Sequence, residues 1–164
     1  LKEDLISSSP NTNEKVNSII NQYSTNPNSS ESILLENDQI IKDAFSFDTV
    51  EEIFNKCELI SSSGNEFIKS QLDELKHKSP TSLKISLRQI RSASKMSLKD
   101  ELIMEYRMVQ KCVEIGDFFE GVRAMLVEKD RKPAWNPSNI KDIDDDKVNK
   151  FFESLGDQDL ILTK

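Results

Sequence analysis

Apolar residues recur along most of this chain at intervals of three and four, the spacing that gathers them on one face of a helix. Between Asn11 and Tyr23 the stripe is Val16, Ile19, Ile20 and Tyr23. Leu35, Ile40, Ile41, Ala44 and Phe45 predict a short helix ending at Ser46. Val50, Ile53, Phe54 and Cys57 form the next stripe, and Ile68, Leu72 and Leu75 the one after. Leu83, Leu87 and Ile90 give a further helix its buried edge. The longest register is Leu98, Leu102, Tyr106, Val109 and Val113, followed by Phe118, Val122, Met125 and Leu126. A last amphipathic helix is predicted from about Asp145 to Leu155, burying Val148, Phe151, Phe152 and Leu155, with Gly156 as its stop.

Start and stop signals agree with this reading. Asp48-Thr49-Val50-Glu51 and Ser63-Gly64-Asn65-Glu66 both have the shape of a capping box, in which side chains satisfy the free amides of a first turn. Ser79-Pro80 places proline at the first helical position, where its missing N–H costs nothing. Ser97 opens the longest helix, Gly116 closes it, and Asp117 opens the next. The Ser- and Asn-rich stretch Ser24 to Ser32, with Pro27, is a loop, and Pro133 and Pro137 bracket Trp135 in an extended linker. Nowhere is there a convincing alternating strand, and Ile161-Leu162 is too short to be one. The fold class expected is all-α, organised as residues 1–46, 47–137 and 138–164, with the first third looser than the rest.

Charge narrows the partners. The chain carries 31% charged residues and a net charge of −7, with a pI of about 4.9. Binding to nucleic acid or an anionic membrane needs a positive field, so neither is expected. No apolar run approaches the roughly 20 residues of a membrane-spanning helix. Cys57 and Cys112 are expected as free thiols on buried helix faces. The chain opens Leu1-Lys2-Glu3-Asp4, which raises the expectation of a piece of a longer protein or of a leader removed.

Candidate chemistry is sparse. His77 is the sole histidine, so no histidine dyad or multi-histidine metal site can form, and its place between Lys76 and Lys78 reads as a solvated helix end. Asp142, Asp144, Asp145 and Asp146 lack the mid-loop glycine and closing glutamate of a calcium loop and read as an acidic helix start. Glu101, Glu105 and Glu120 fall on polar helix faces, with Glu105–Arg107 and Glu120–Arg123 as supporting pairs. Phe118, Phe119, Trp135, Phe151 and Phe152 are candidates to line a ligand pocket, but their helical spacing puts the core first. The glycines, Gly64, Gly116, Gly121 and Gly156, are isolated, so no glycine-rich phosphate loop or oxyanion turn is present. The expectation is no catalytic residue and no metal ligand.

Several runs nevertheless resemble one family. Ser79-Pro80-Thr81-Ser82-Leu83-Lys84-Ile85-Ser86-Leu87-Arg88-Gln89-Ile90 is similar to the SPTSLKITLRQL segment of the 3-hydroxyisobutyryl-CoA hydrolases. Met104-Glu105-Tyr106-Arg107-Met108 also matches, as do Phe45 and Asp48-Thr49-Val50-Glu51-Glu52-Ile53. Phe118-Phe119-Glu120-Gly121-Val122-Arg123-Ala124, continuing to Lys129-Asp130, resembles the family's F-x-E-G-V-R-A and K-D pattern, with Pro133, Trp135 and Pro137 its P-x-W-x-P. The resemblance runs from about Phe45 to Leu155.

That family lies within the crotonase (enoyl-CoA hydratase/isomerase) superfamily. The resemblance implies a β/α core followed by a helical C-terminal region, to which this chain would correspond. It implies hydrolysis of 3-hydroxyisobutyryl-CoA in mitochondrial valine breakdown, with coenzyme A as part of the substrate rather than a cofactor. The family's catalytic glutamate sits in a Glu-x-x-Ile-Gly motif, and its oxyanion hole on a Gly-Gly-Asp loop. Neither motif occurs here, so both would precede Leu1. In related hydratases an aromatic residue and a lysine three positions later approach the adenine and phosphates of coenzyme A. The matching positions are Leu126 and Lys129, which makes Lys129 the candidate phosphate contact. Acyl-CoA is the implied partner, with homo-oligomerisation open. A non-catalytic role, such as relatives fill in mitochondrial ribosomal small subunits, or a free-standing helical interaction module, is the competing class. Faces such as Leu83, Leu87 and Ile90 are expected to pack on a core outside this chain, leaving the isolated chain marginally stable.

Overall fold

A computed structural model describes residues 2–7, 12–25, 32–115 and 117–162. Among these there is no strand. They divide into two compact units, 1–38 and 39–164.

In the first unit, α1 (Lys2–Ser7), α2 (Asn13–Tyr23) and α3 (Ile33–Glu36) are short. Thr12 caps α2, its hydroxyl accepting from the Lys15 amide, and the Tyr23 hydroxyl donates to the Asp4 carboxylate. Of the predicted stripe only Ile19 is buried. Asn11 and most of the loop expected between Ser24 and Ser32 lie outside the described residues.

The second unit has two cores that share one helix. The first gathers Ala44 from α4 (Asp38–Phe45), Ile53, Cys57 and Ile60 from α5 (Val50–Ser62), and Ile68 and Leu72 from α6 (Glu66–Lys76). Leu87 of α7 (Pro80–Ala93) packs against it. The other side of α7 contributes Ile85 to the second core, with Met104 and Met108 of α8 (Leu98–Ile115) and with Ile143, Val148 and Phe151. The last two belong to α10 (Asp145–Asn149) and the turn after it. Ile68 and Cys57 are fully enclosed, so each removes its whole side chain from water, worth about 1.5–3 kcal/mol for a residue of isoleucine's size.

Two caps sit away from the sequence expectations, one by a single residue and the other by two. The box at the start of α5 is Thr49 with Glu52, not Asp48 with Glu51. Thr49 Oγ1 accepts from the Glu52 amide at 3.2 Å, and the Glu52 carboxylate accepts from the Thr49 amide at 3.2 Å. Ser63 ends α5 instead of opening α6; Asn65 is the cap, accepting from the Ile68 amide at 2.9 Å. Gly64 between them takes φ +93°, a left-handed turn that a side chain would strain. Ser79 and Pro80 open α7 as expected, and Ser97 caps α8 through the Asp100 amide. The expected helix from Leu35 to Phe45 is two segments parted at Asn37.

Larger departures concern which faces are covered. The stripe Leu98, Leu102, Val109 and Val113 of α8 faces outward, Leu98 being 72% exposed, while Met104 and Met108 are buried in its place. Ile85 is the buried residue of α7, whereas Leu83 and Leu87 are half-buried and Ile90 is exposed. After α9 (Asp117–Val122) the backbone widens into a π-helical turn, Arg123–Val127, which shifts the face. Ala124 is then enclosed, and Phe118, Met125 and Leu126 are exposed. The final helix stops at Asn149, with Phe151 reaching the core from the turn beyond it. Gly116, the expected end of α8, lies outside the described residues.

Candidate functional site

The residues that carry the family resemblance converge on α9 and the segment behind it. Arg123, on the first residue of the π-helical turn, forks onto Glu120, with Nε to Oε2 at 2.8 Å and Nη2 to Oε1 at 2.7 Å. Its Nη1 reaches Asp130 Oδ2 at 2.7 Å and also the Glu128 carboxylate, while Nη2 donates to the Lys132 carbonyl at 3.3 Å. Two of these acids are tied to backbone as well. Glu120 Oε1 accepts from the Ala134 amide at 2.7 Å, and Asp130 Oδ1 from the Lys132 amide at 2.8 Å. One guanidinium, with its five donors in a planar fork, thus pins the chain from 120 to 134.

The charges respond accordingly. The Arg123 guanidinium, helped by the Ala134 amide, holds the Glu120 carboxyl down at about 2. Arg123 and then the Lys132 amide hold the Asp130 carboxyl below its ordinary value. Arg123 itself is driven still further toward its protonated form by Glu120 and Asp130. A carboxylate so fully engaged is a poor proton acceptor. This cluster is a clamp.

The clamped segment carries unusual backbone. Lys129 and Arg131 both take φ +57°, a region that costs residues with a Cβ about 1–2 kcal/mol each. The Arg131 amide donates to the Ala124 carbonyl at 3.0 Å and the Glu128 amide to the Arg123 carbonyl at 2.8 Å, fastening the turn to the end of the helix. Lys129 is exposed.

A second junction brings Gly121 and Trp135 together. A Cβ at Gly121 would stand 3.4 Å from the Trp135 ring, in ordinary contact, so the indole lies against α9 with room for little more than a methyl group. The indole N–H donates to the His77 carbonyl at 3.0 Å, at the end of α6. Asp117, the first residue of α9, accepts from the Ser79 hydroxyl at 2.5 Å and the Asn136 amide at 3.4 Å. Trp135 therefore ties the linker to both α6 and α9.

The other candidates resolve into structural roles. His77 is an exposed helix end, as expected. Asp144 caps α10 by accepting from the Lys147 amide at 2.8 Å, so the acidic run is a helix start. The pair Glu105–Arg107 does not form: Glu105 accepts from Gln89 at 2.8 Å, and Arg107 forks onto Asp159 at 2.7 and 2.6 Å. Asp159 lies far along the chain, which is why local spacing missed it. Phe118 and Phe119 are exposed and meet edge to face instead of entering the core, while Phe151 does enter it. Phe152 is half-buried beneath Arg88, whose guanidinium carbon sits 4.6 Å from the ring centre. Cys57 and Cys112 are free thiols as expected, Cys112 only half-buried, and burial pushes both thiols up.

A cleft of about 270 Å³ opens between α5, α7 and α10, lined by Asp48, Glu51, Lys84, Arg88 and Arg91 among others. Its cations already serve the fold. Lys84 holds Glu51 at 2.7 Å and the Ile143 carbonyl at 2.7 Å, and Arg91 holds the carbonyls of Phe45 and Phe47 at 3.0 and 2.9 Å. Among the described residues no group of three His, Cys, Asp or Glu side chains is placed to bind a metal ion. No helix among them is long and apolar enough to cross a membrane.

Comparison with known proteins adds the family. The mitochondrial 3-hydroxyisobutyryl-CoA hydrolase of Mus musculus is 40% identical over 163 residues, covering 98% of this chain and 42% of that protein. The Homo sapiens protein of the same name is 39% identical with the same coverage, and the Danio rerio one 42% identical over 79% of this chain. This chain thus spans 42% of the length of the mouse and human relatives. A crystal structure of a carnitinyl-CoA dehydratase from Mycobacterium thermoresistibile superposes with a TM-score of 0.76 at 26% identity, covering 90% of this chain and 41% of that one. The Enoyl-CoA hydratase/isomerase family matches residues 1–152. By sequence along nearly its whole length, and by fold, the chain belongs to the enoyl-CoA hydratase/isomerase family.

Proposed function

We propose that this chain is the helical C-terminal part of an acyl-CoA thioester hydrolase that acts on 3-hydroxyisobutyryl-CoA in mitochondria, within valine breakdown. The observation that carries the reading is 40% identity, sustained over 98% of the chain, to a relative of that name. The dehydratase resemblance is weaker, at 26% identity, and so gives the architecture more than the reaction. Nothing in the comparisons favours the non-catalytic alternative.

The reaction adds water to the thioester carbonyl and expels the coenzyme A thiolate. It needs a carboxylate able to take a proton and donors for the oxyanion. The acids around α9 are committed to Arg123, and the sole imidazole stands exposed at a helix end. We therefore place the reacting carboxylate and the oxyanion hole outside these 164 residues. Within them, Lys129 is the proposed contact to the coenzyme A phosphates. No resident cofactor is called for, because coenzyme A arrives and leaves with the substrate.

Thiol release from 3-hydroxyisobutyryl-CoA, followed with a chromogenic disulfide, tests this on the full-length protein carrying the chain. Turnover by that protein and none by residues 1–164 alone is the expected pattern. Hydration or dehydration of an acyl-CoA without thiol release would overturn the hydrolase reading. Turnover by the 164-residue chain would overturn the placement of the catalytic groups.

A further inference from the structure

The flanks of α7 are used differently. Leu87 packs on the first core and Ile85 on the second. Ser82 and Ser86, one helical turn apart, line a trough between α7, α8 and the start of α9. Val109, Val113 and Phe118 line it too, and all three are exposed. The trough consists of two adjoining hollows, of about 510 and 400 Å³, that share Ser82, Ser86, Cys112 and Phe118.

The lining fixes the chemistry of an occupant. Among the described residues no cation lines the larger hollow, and its one acid, Glu105, accepts from Gln89 at 2.8 Å. Such a surface gains by removing apolar groups from water and offers little to a phosphate or a charged peptide. The two serines keep one wall low, leaving room for larger apolar side chains brought from outside. Single apolar residues at a surface need no explanation, but a trough lined by them marks a contact site. Its source follows from length. This chain spans 42% of the mouse and human relatives, so the larger part of a protein of their length has no counterpart here. A separate partner has to bury about 1,200–2,000 Å² in total to hold. Segments of one polypeptide meet at an effective concentration on the order of mM and hold through a smaller contact, and hollows of this size suit that case.

We propose that this trough seats an uncharged, apolar segment of the same polypeptide from outside these 164 residues, and that the contact holds the catalytic part of the protein against the helices. Ser82, Ser86, Val109, Val113 and Phe118 then form the contact, in place of the edge Leu83, Leu87 and Ile90 expected from periodicity. Leu87 is already committed to the first core. The inference rests on the reading of this chain as the C-terminal part of a longer hydrolase, and adds to it the surface through which the two parts meet.

Photo-cross-linking of the full-length protein carrying the chain tests this, with Phe118 replaced by the photoreactive p-benzoylphenylalanine. Irradiation followed by peptide mass spectrometry is expected to link position 118 to a peptide from outside residues 1–164, in a band of monomer mass. A link in a band of dimer mass would give the trough to a second copy, and links confined to residues 1–164 would leave it empty; either result overturns the proposal. Val113→Asp places a charge in the contact and is expected to lower the melting temperature of the full-length protein by about 4 °C or more. An unchanged melting temperature would also overturn the proposal, since a charge on an open face costs little. If Val113→Asp fails to fold, the cross-link still decides. Thiol release from 3-hydroxyisobutyryl-CoA separates the two readings. Release without the expected cross-link leaves the hydrolase reading standing and removes the docking surface. The expected cross-link without release does the reverse.

Discussion

Met108 and Val109 are adjacent on α8, yet the fold treats them as opposites. Met108 is 7% exposed against Ile85 and Phe151, and Val109 is 57% exposed on the outer face. Replacing Met108 by alanine empties a packed site, which costs about 2–5 kcal/mol including the cavity left behind. With a urea dependence of about 2 kcal/mol per molar, that is a loss of about 1–2.5 M in the unfolding midpoint. Val109→Ala gives up contacts on a face already in water, so its effect should stay within about 0.5 kcal/mol. Alanine's better helix propensity acts in the opposite direction, and the midpoint should hold or rise slightly. Urea unfolding of the chain, followed by circular dichroism and by Trp135 fluorescence, reads both. A drop for Val109→Ala equal to that for Met108→Ala would refute the reasoning. It would mean that the face chosen by sequence periodicity is the one that packs.

Thr49→Ala breaks the capping box of α5 and should cost about 1 kcal/mol, seen as a lower melting temperature; an unchanged transition would show that the first turn does not depend on it. Gly121→Leu should drive the Trp135 ring off α9, with a red-shifted emission and loss of the His77 contact, and unshifted emission would count against the packing. Because the folded Glu120 carboxyl sits at about 2, below its ordinary 4.5, its stabilising contribution is complete above about 4.5 and fades as pH falls toward 2. Glu120→Gln should therefore flatten the acid limb of a stability-versus-pH curve, and identical limbs would remove Glu120 from it. Cys112, half-buried, should react with a thiol reagent before the enclosed Cys57, with peptide mass spectrometry giving the order; faster labelling of Cys57 would contradict the first core.

Local chemistry made much of this molecule legible in advance. Ser79 and Pro80 open α7, Ser97 caps α8 and Asp144 starts α10, because a cap acts on amides two or three residues away. The errors at Thr49 and Asn65, of one and two residues, have the same origin, since each has a second residue able to cap just before it. Glu120–Arg123 was readable from helical spacing, and Arg107–Asp159 was not, being closed by the path of the chain end. Arg131 left no signal at all, because nothing in a Lys-Asp-Arg run announces left-handed backbone.

The sequence by itself determined the helices, most of their starting points, and, through the motifs around Ser79, Glu120-Gly121 and Trp135, the family. Only the tertiary structure decided which apolar face of each helix is buried. Period 3.6 marks a stripe but does not say which stripe meets a partner, and α8 carries one on either side of Met108. That choice depends on Ile85, Ile143 and Phe151, which arrive from elsewhere in the chain. The π-helical turn at Arg123 follows the same logic. A single guanidinium gathering Glu120, Glu128 and Asp130 sets the backbone there, and only the folded chain brings those three acids to it.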